Sequence, residues 1–145
     1  MVKEIGLRKD ELKGDIIETI YFGGGTPSLL STKEIQVLID AVYRNFKVVA
    51  HPEITLEANP DDLSGEKIIE LSQSPVNRLS IGIQSFYEHD LKLMNRAHNV
   101  HEAKKCLEIA TNYFENSSVD VIYGIPDCTN EQWRDNIHTA LRFGV

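Results

Sequence analysis

The 145 residues are enough for one domain, and their composition, 41% hydrophobic and 26% charged, is that of an ordinary globular protein. The net charge of −7 and the lack of a Lys/Arg cluster argue against nucleic acid as the main partner, and no apolar run reaches the ~20 residues that a stable membrane insertion needs. The two cysteines fit no zinc or disulfide pattern and the start resembles no signal peptide, which favours a cytoplasmic location.

The predicted elements alternate between strand and helix after a charged arm over residues 1–15, which we interpret as a short helix or a loose segment. Apolar, β-branched runs predict strands at 16–22, 53–57, 78–83 and 118–123. Capping boxes predict the starts of three amphipathic helices, at Ser31-x-x-Glu34, Asn99-x-x-Glu102 and Thr129-x-x-Gln132. Weaker helical patterns cover 64–72 and 88–94.

The alternation of strands and helices indicates parallel strands joined by right-handed crossovers. We therefore predict an α/β fold with a parallel sheet over residues 16–145. Four strands are too few to close a barrel, so the sequence is expected to form a piece of a larger parallel (β/α) domain.

Three glycines and a Thr-Pro pair, at 23–27, follow the first predicted strand directly. Glycine lets the backbone turn sharply and approach another molecule closely. Open and barrel α/β folds bind small molecules at the carboxyl ends of their strands, which is where this turn is expected to lie. Taken alone, the run is equally consistent with a purely structural turn.

Polar side chains end or interrupt the later strands, although a buried parallel strand should be apolar on both faces. Glu57 and Gln84 end the second and third strands, and Asp120 lies inside the fourth. We expect Glu57 and Gln84 to meet the glycine turn at one rim, with Asp120 buried just beneath it and in need of a cation or several donors. Such a rim suits a zwitterionic or polyhydroxylated ligand, with Arg96 as the cation for a carboxylate. Alone, Glu57 is equally consistent with an exposed strand-end charge, and Arg96 is more typical of a surface residue.

Four motifs stand in order along the chain: Tyr-Phe-Gly-Gly-Gly-Thr-Pro-Ser at 21–28, Glu-Ile-Thr-Leu-Glu-Ala-Asn-Pro at 53–60, Asn-Arg-Leu-Ser-Ile-Gly-Ile-Gln-Ser-Phe at 77–86, and Asp-Val-Ile-Tyr-Gly-Ile-Pro at 120–126. Together they resemble the oxygen-independent coproporphyrinogen III oxidase family of radical S-adenosylmethionine (SAM) enzymes, including its heme-chaperone branch. The strings at 57–60 and 95–98 are more similar to the chaperone branch than to the decarboxylating oxidase.

The resemblance implies a partial (β/α) barrel, open on one side, that holds SAM and a [4Fe–4S] cluster. Electron transfer from the cluster into SAM then yields a 5′-deoxyadenosyl radical, which abstracts hydrogen from a substrate. The resemblance also implies that the glycine motif contacts the methionine amino group, here through Gly24, Gly25 and Thr26. The remaining residues that it implies to approach SAM are Glu57, Gln84, Arg96 and Asp120.

One departure from that family is large. Its members carry a Cys-x-x-x-Cys-x-x-Cys loop ahead of the glycine motif, and these thiolates hold the cluster. This sequence has only Cys106 and Cys128, which cannot replace that loop, so we assign no metal ligand and no catalytic residue. We expect the sequence to be a fragment that is catalytically silent alone, with the cluster bound by the full-length protein.

Three functions stay open from the sequence. The first is a radical enzyme that removes carbon dioxide from porphyrinogen propionates, and the second is a chaperone that binds heme and passes it on. The third is an unrelated α/β module whose glycine turn binds phosphate. The small-molecule partner is therefore expected to be a porphyrinogen or heme. Uncovered strand edges further predict self-association.

Overall fold

The computed structural model describes all residues, 1–145, as four strands and six α-helices in alternation. The strands are β1 (Ile16–Phe22), β2 (Lys47–Ala58), β3 (Arg78–Gln84) and β4 (Asn116–Val121). The helices are α1 (Val2–Leu7), α2 (Thr32–Asn45), α3 (Gly65–Ser72), α4 (Glu88–Leu93), α5 (Val100–Tyr113) and α6 (Asn130–Arg142). Short 3₁₀ turns at Pro27–Leu29 and Pro60–Asp62 follow β1 and β2. None of the helices combines the length and the apolar character that crossing a membrane requires.

The four strands form one sheet in the order β1-β2-β3-β4, and every neighbouring pair is parallel. The predicted α/β class with a parallel sheet is therefore confirmed. Because the spatial order equals the chain order, the sheet grows in one direction, as in a segment of a (β/α) barrel. All four carboxyl ends consequently lie at the same edge of the sheet.

Two strands have different limits from those predicted. The predicted strand at 53–57 is only the second part of β2, which already pairs with β1 at Lys47 and Val48. The register then jumps from Ile17 to Thr19, so residues 49–52 of β2 have no partner there, and this irregularity conceals the first part of the strand. The strand predicted at 118–123 runs instead from Asn116 to Val121.

The three predicted capping boxes are all present. In α2, the Ser31 side chain accepts from the Glu34 amide while the Glu34 carboxylate accepts from the Ser31 amide. The same reciprocal pair opens α5 and α6. Each box satisfies backbone donors that would otherwise lack a partner at a helix start, which explains why these short patterns located the helices well.

The hydrophobic core lies on only one face of the sheet. Side chains that alternate along the strands pack against the helices there, among them Ile54, Leu56, Leu79, Ile81 and Ile83. The opposite face carries no helix and is lined by Thr19, Tyr21, Thr55, Glu57, Arg78, Ser80, Ser118 and Asp120. The expectation of apolar side chains on both faces was therefore wrong. The sheet has an apolar, helix-covered face and a polar, bare face.

The first helix packs against α2, and Ile5 of α1 contacts the core while most of its neighbours are exposed. Turns over residues 8–14 connect α1 to β1, and they include Gly14 with a φ of +89°. The division of the chain into an arm at 1–15 and a barrel core at 16–145 stays a prediction.

Candidate functional site

A polar cleft of about 160 Å³ opens at the carboxyl ends of the strands. Its lining consists of residues 25–28 after β1, residues 57–59 at the end of β2, Ser80, Gly82 and Gln84 of β3, and Asp120 of β4. Five of the seven residues predicted to bind SAM line this cleft directly, namely Gly25, Thr26, Glu57, Gln84 and Asp120. Gly24 is next to it, and Arg96 lies behind it.

The glycine corner requires glycine at three positions, for two different reasons. Gly24 and Gly25 have φ values of +76° and +61°, a region that side chains disfavour, and an added Cβ there meets no atom within 4 Å. At Gly23 a Cβ would lie 2.7 Å from the Tyr21 ring and 3.1 Å from Glu57 Oε1. The corner therefore leaves open space over Gly24 and Gly25, where a ligand can approach the backbone.

Glu57 is fixed by donors from β1 and from the glycine corner. Tyr21 Oη donates to Oε1 at 2.7 Å, and the Gly24 amide donates to Oε2 at 3.1 Å. The Tyr21 hydrogen bond raises the pKa of that phenol above its ordinary value, because ionisation would place a second negative charge against the carboxylate. Half-buried Glu57 thus presents a negative charge of fixed direction at the cleft.

Gln84 ends β3 in an unusual backbone conformation, with a φ of +69°. Its side chain folds back over Gly82, since a Cβ on Gly82 would lie 2.8 Å from Gln84 Nε2. Any side chain at Gly82 would displace this amide. The glycine therefore makes room for a group that can both donate and accept at the floor of the cleft.

Arg96 does not line the cleft, although it was predicted to bind the same ligand. Its Nη2 donates to Asn59 Oδ1 at 2.7 Å and to the Gly82 carbonyl at 3.2 Å. Its Nε is buried and has no hydrogen-bond partner. A buried guanidinium donor without an acceptor is costly, and a ligand carboxylate would satisfy it.

The expectation that Asp120 is buried was wrong, because the residue is exposed. It projects from the polar face of β4, which no helix covers. It nevertheless lines the cleft together with Glu57 and Gln84. Its place at the cleft agrees with the prediction, whereas its burial does not, and its role in binding SAM stays a prediction.

The sequence reasoning missed the small polar residues of the cleft: Ser28, Asn59, Ser80 and Gly82. Ser80, Gly82 and Gln84 alternate along β3, and this period of two is the signal that could have revealed one polar face. Asn59 was part of a quoted motif but not of the predicted site. Its Oδ1 accepts from Arg96, and its Nδ2 donates to Asp62 Oδ2 at 3.3 Å.

The cleft and the cysteines differ in how well they fit the cofactors that the resemblance implies. Carboxylates, an amide, open backbone groups and the unpaired Arg96 Nε match an amino-acid and ribose ligand. The cysteines do not match a cluster: Cys106 is buried in α5, and burial raises the pKa of its thiol to about 12. No group of three His, Cys, Asp or Glu residues is arranged to hold a metal ion.

Comparison with known proteins agrees with this geometry. The Radical SAM superfamily pattern matches residues 2–140. Heme chaperone HemW of Escherichia coli (strain K12) is 37% identical over 130 residues, covering 89% of this chain and 34% of that protein. HemW of Bacillus subtilis (strain 168) is 39% identical over 127 residues, covering 86% of this chain and 34% of that protein.

A solved structure is similar over the same region. It is described as coproporphyrinogen III oxidase (HemN) from Escherichia coli, a radical SAM enzyme. The TM-score is 0.83 at 28% sequence identity, and the match covers 98% of this chain and 33% of that chain. The chain thus spans roughly a third of the length of the relatives that it matches.

Proposed function

The chain belongs to the radical SAM superfamily, in the branch of the heme chaperones and coproporphyrinogen III oxidase, and from that premise we propose that its polar cleft binds SAM. The observation that carries the proposal is the convergence of Gly25, Glu57, Gln84 and Asp120 on one cleft at the carboxyl edge of the sheet. Parallel α/β sheets bind ligands at this edge.

The charge and hydrogen-bonding type of each residue match a different part of SAM. Glu57 and the backbone at Gly24, Gly25 and Thr26 would face the methionine ammonium, and Arg96, which lies behind the cleft, would donate from its unpaired Nε to the carboxylate if the ligand reaches that depth. Asp120 accepts from ribose hydroxyls, and Gln84 serves as donor and acceptor between them. Bound SAM supplies hydrogen-abstraction chemistry once a [4Fe–4S] cluster reduces it, and this chain holds no ligand set for that cluster.

For the full-length protein we propose heme binding and transfer as the function. The 37% and 39% identities to heme chaperones exceed the 28% identity to the oxidase. A heme titration of the full-length protein, followed by Soret absorbance, is expected to saturate. No Soret change, together with carbon dioxide release from coproporphyrinogen III, would instead favour the oxidase, which the TM-score of 0.83 keeps as the second candidate.

The SAM site is tested by calorimetry of the chain with SAM, with ATP as the control. We expect heat with SAM and none with ATP, because the cleft offers Glu57 and Asp120 to an ammonium and to hydroxyls rather than cations to a triphosphate. Heat with ATP alone would support the phosphate-binding module. Heat with neither ligand would contradict the site.

We also propose that the chain self-associates and works in the cytoplasm. Its polar face is bare, β1 and β4 are edge strands, and Ile16 and Tyr21 are exposed on β1. Two free cysteines suit a reducing compartment. A clean monomer by light scattering would contradict self-association, and fractionation of cells would test the location.

A further inference from the structure

We propose that Asn136, on α6, is a positioning residue that holds Gln84 in the turn directing its amide into the cleft. Asn136 contacts neither the cleft nor any residue of the predicted site. The inference rests on the proposed SAM site, and it concerns how the chain keeps one side chain of that site in place.

The turn after β3 is conformationally unfavourable. The Ser85 amide donates to the Ile83 carbonyl at 2.9 Å, two residues back, around Gln84 with its φ of +69°. A γ-turn with positive φ at its centre is rare and strained for a residue that has a side chain. Such a conformation persists only when neighbouring structure enforces it, so the turn needs identifiable restraints.

The restraints come from a fully buried polar cluster behind the turn. Asn136 Oδ1 accepts from the Phe86 amide at 2.7 Å, and Asn136 Nδ2 donates to Ser85 Oγ at 3.2 Å. Ser85 Oγ in turn donates to Asp90 Oδ2 of α4 at 2.6 Å. Asn136, Ser85 and Asp90 are 0%, 0% and 2% exposed, so these bonds have no competition from water.

The cluster acts on the two residues that directly follow Gln84, which is why we connect it to the site. On the other side, the Gln84 carbonyl accepts from the Ile122 amide at 2.9 Å, and the Ile83 carbonyl contacts His98 Nε2 at 3.2 Å. The backbone is therefore held by hydrogen bonds on both sides of Gln84 along the chain. The side-chain amide over Gly82 is the part left free to meet a ligand.

The binding test is a double-mutant cycle on the affinity for SAM, measured by calorimetry on the intact protein. Asn136→Ala is expected to weaken binding about tenfold, since the unpaired Phe86 amide lets the turn relax. In a Gln84→Ala background the same change should cost less than about twofold. Equal losses in both backgrounds would mean that Asn136 acts only on general stability, and would overturn the proposal.

A matched control separates positioning from simple destabilisation. Thr139→Ala removes another buried polar side chain of α6, one turn further on, whose Oγ1 accepts only from Arg142. It is expected to lower Tm without changing the affinity for SAM. If Asn136→Ala does not fold, Asn136→Leu fills the same volume while removing both polar groups, leaves the Phe86 amide unpaired, and is expected to show the same dependence on Gln84.

A second measurement needs no ligand, so it distinguishes failure of this inference from failure of the SAM site. Gln84→Gly is expected to melt above Gln84→Ala, because glycine accepts positive φ without strain. This gap should shrink when Asn136→Ala releases the turn. If the gap is equal in both backgrounds, the inference fails even where SAM binds. If the gap shrinks but the wild-type chain binds no SAM, only the proposed function fails.

Discussion

The two faces of the sheet are built from alternate residues of the same strands and have opposite roles. Leu79, Ile81 and Ile83 of β3 are completely buried against the helices, whereas Ser80 between them and Gln84 after them face the bare side. Adjacent residues of the strand therefore point to opposite faces, one into the core and the next toward the proposed ligand site. The contrast predicts that, in this fold, stability and ligand binding can be changed almost independently.

The two faces also differ in the interactions that hold their side chains in place. The apolar face needs only close packing, and any cavity there is felt throughout the core. On the polar side, Glu57 accepts from Tyr21, Arg96 donates to Asn59, and the Gln84 amide occupies space that Gly82 leaves open.

Leu79→Ala and Ser80→Ala compare adjacent residues on opposite faces. Leu79 is 0% exposed in the core, so its truncation is expected to lower the free energy of unfolding by about 2–5 kcal/mol. Ser80 loses only a contact to Ser118 Oγ at 3.3 Å, and we expect about 1 kcal/mol or less. Urea unfolding measures both. Similar losses would mean that the polar face is also part of the core.

Glu57→Gln is expected to weaken SAM binding about 10- to 100-fold, because it removes a charged acceptor from the proposed ammonium site. Stability should change little, since the amide oxygen can still accept from Tyr21 or Gly24. Glu53→Gln is the matched control, on the same strand and face but outside the cleft. Calorimetry should show a change below about twofold for Glu53→Gln, and equal effects would argue against Glu57 as a ligand.

Asn99→Ala tests the helix side without touching the core. Its side chain accepts from the Glu102 amide at 2.9 Å in the capping box of α5, and the loss is expected to be about 1 kcal/mol. Asn112→Ala on the same helix lacks a capping role and should change stability by less than about 0.5 kcal/mol. SAM affinity should be unaltered in both variants, because neither side chain lines the cleft. A changed affinity would mean that capping of α5 affects the cleft.

The smallest predicted effect is a shift in the titration of Tyr21. Its phenol is expected to ionise above the ordinary pKa of 10.0, mainly because of its hydrogen bond to Glu57. Since the folded-state pKa is raised, the stabilising contribution is complete below the unfolded value and is lost as pH rises through the folded value. A difference titration of phenolate absorbance between wild type and Tyr21→Phe measures this shift. Glu57→Gln should reduce it, and an unchanged shift would assign it to another cause.

Local signals in the sequence predicted most of the fold. Capping boxes and apolar runs depend on residues three or four positions apart, and they located α2, α5, α6 and three of the four strands closely. The first part of β2 was missed, because its pairing is interrupted after Val48 and Pro52 stands within it. That irregularity arises from the pairing of β2 with β1, and a local sequence pattern carries no information on such pairing.

The sequence predicted the parts of the site whose positions follow from the strand ends alone. Parallel strands bring their carboxyl ends together, so Glu57 and Gln84 could be placed beside the glycine corner from their order alone. The exposure of Asp120 could not be predicted, because it depends on what covers the polar face of the sheet. Nor could the contact of Asn136 with Phe86 be predicted, since the two residues are far apart in sequence and a polar residue on a helix is normally exposed.

The contrast between the two cysteines has a practical consequence. With a thiol pKa of about 12, Cys106 stays protonated inside α5 and should not react with a maleimide while the protein is folded. Cys128 is half-exposed in the loop between β4 and α6, downstream of Asp120, and burial raises its thiol pKa too, so coupling needs mildly alkaline buffer. The unaltered chain therefore offers a single attachment point for a fluorophore, from which ligand entry can be followed without engineering a new thiol.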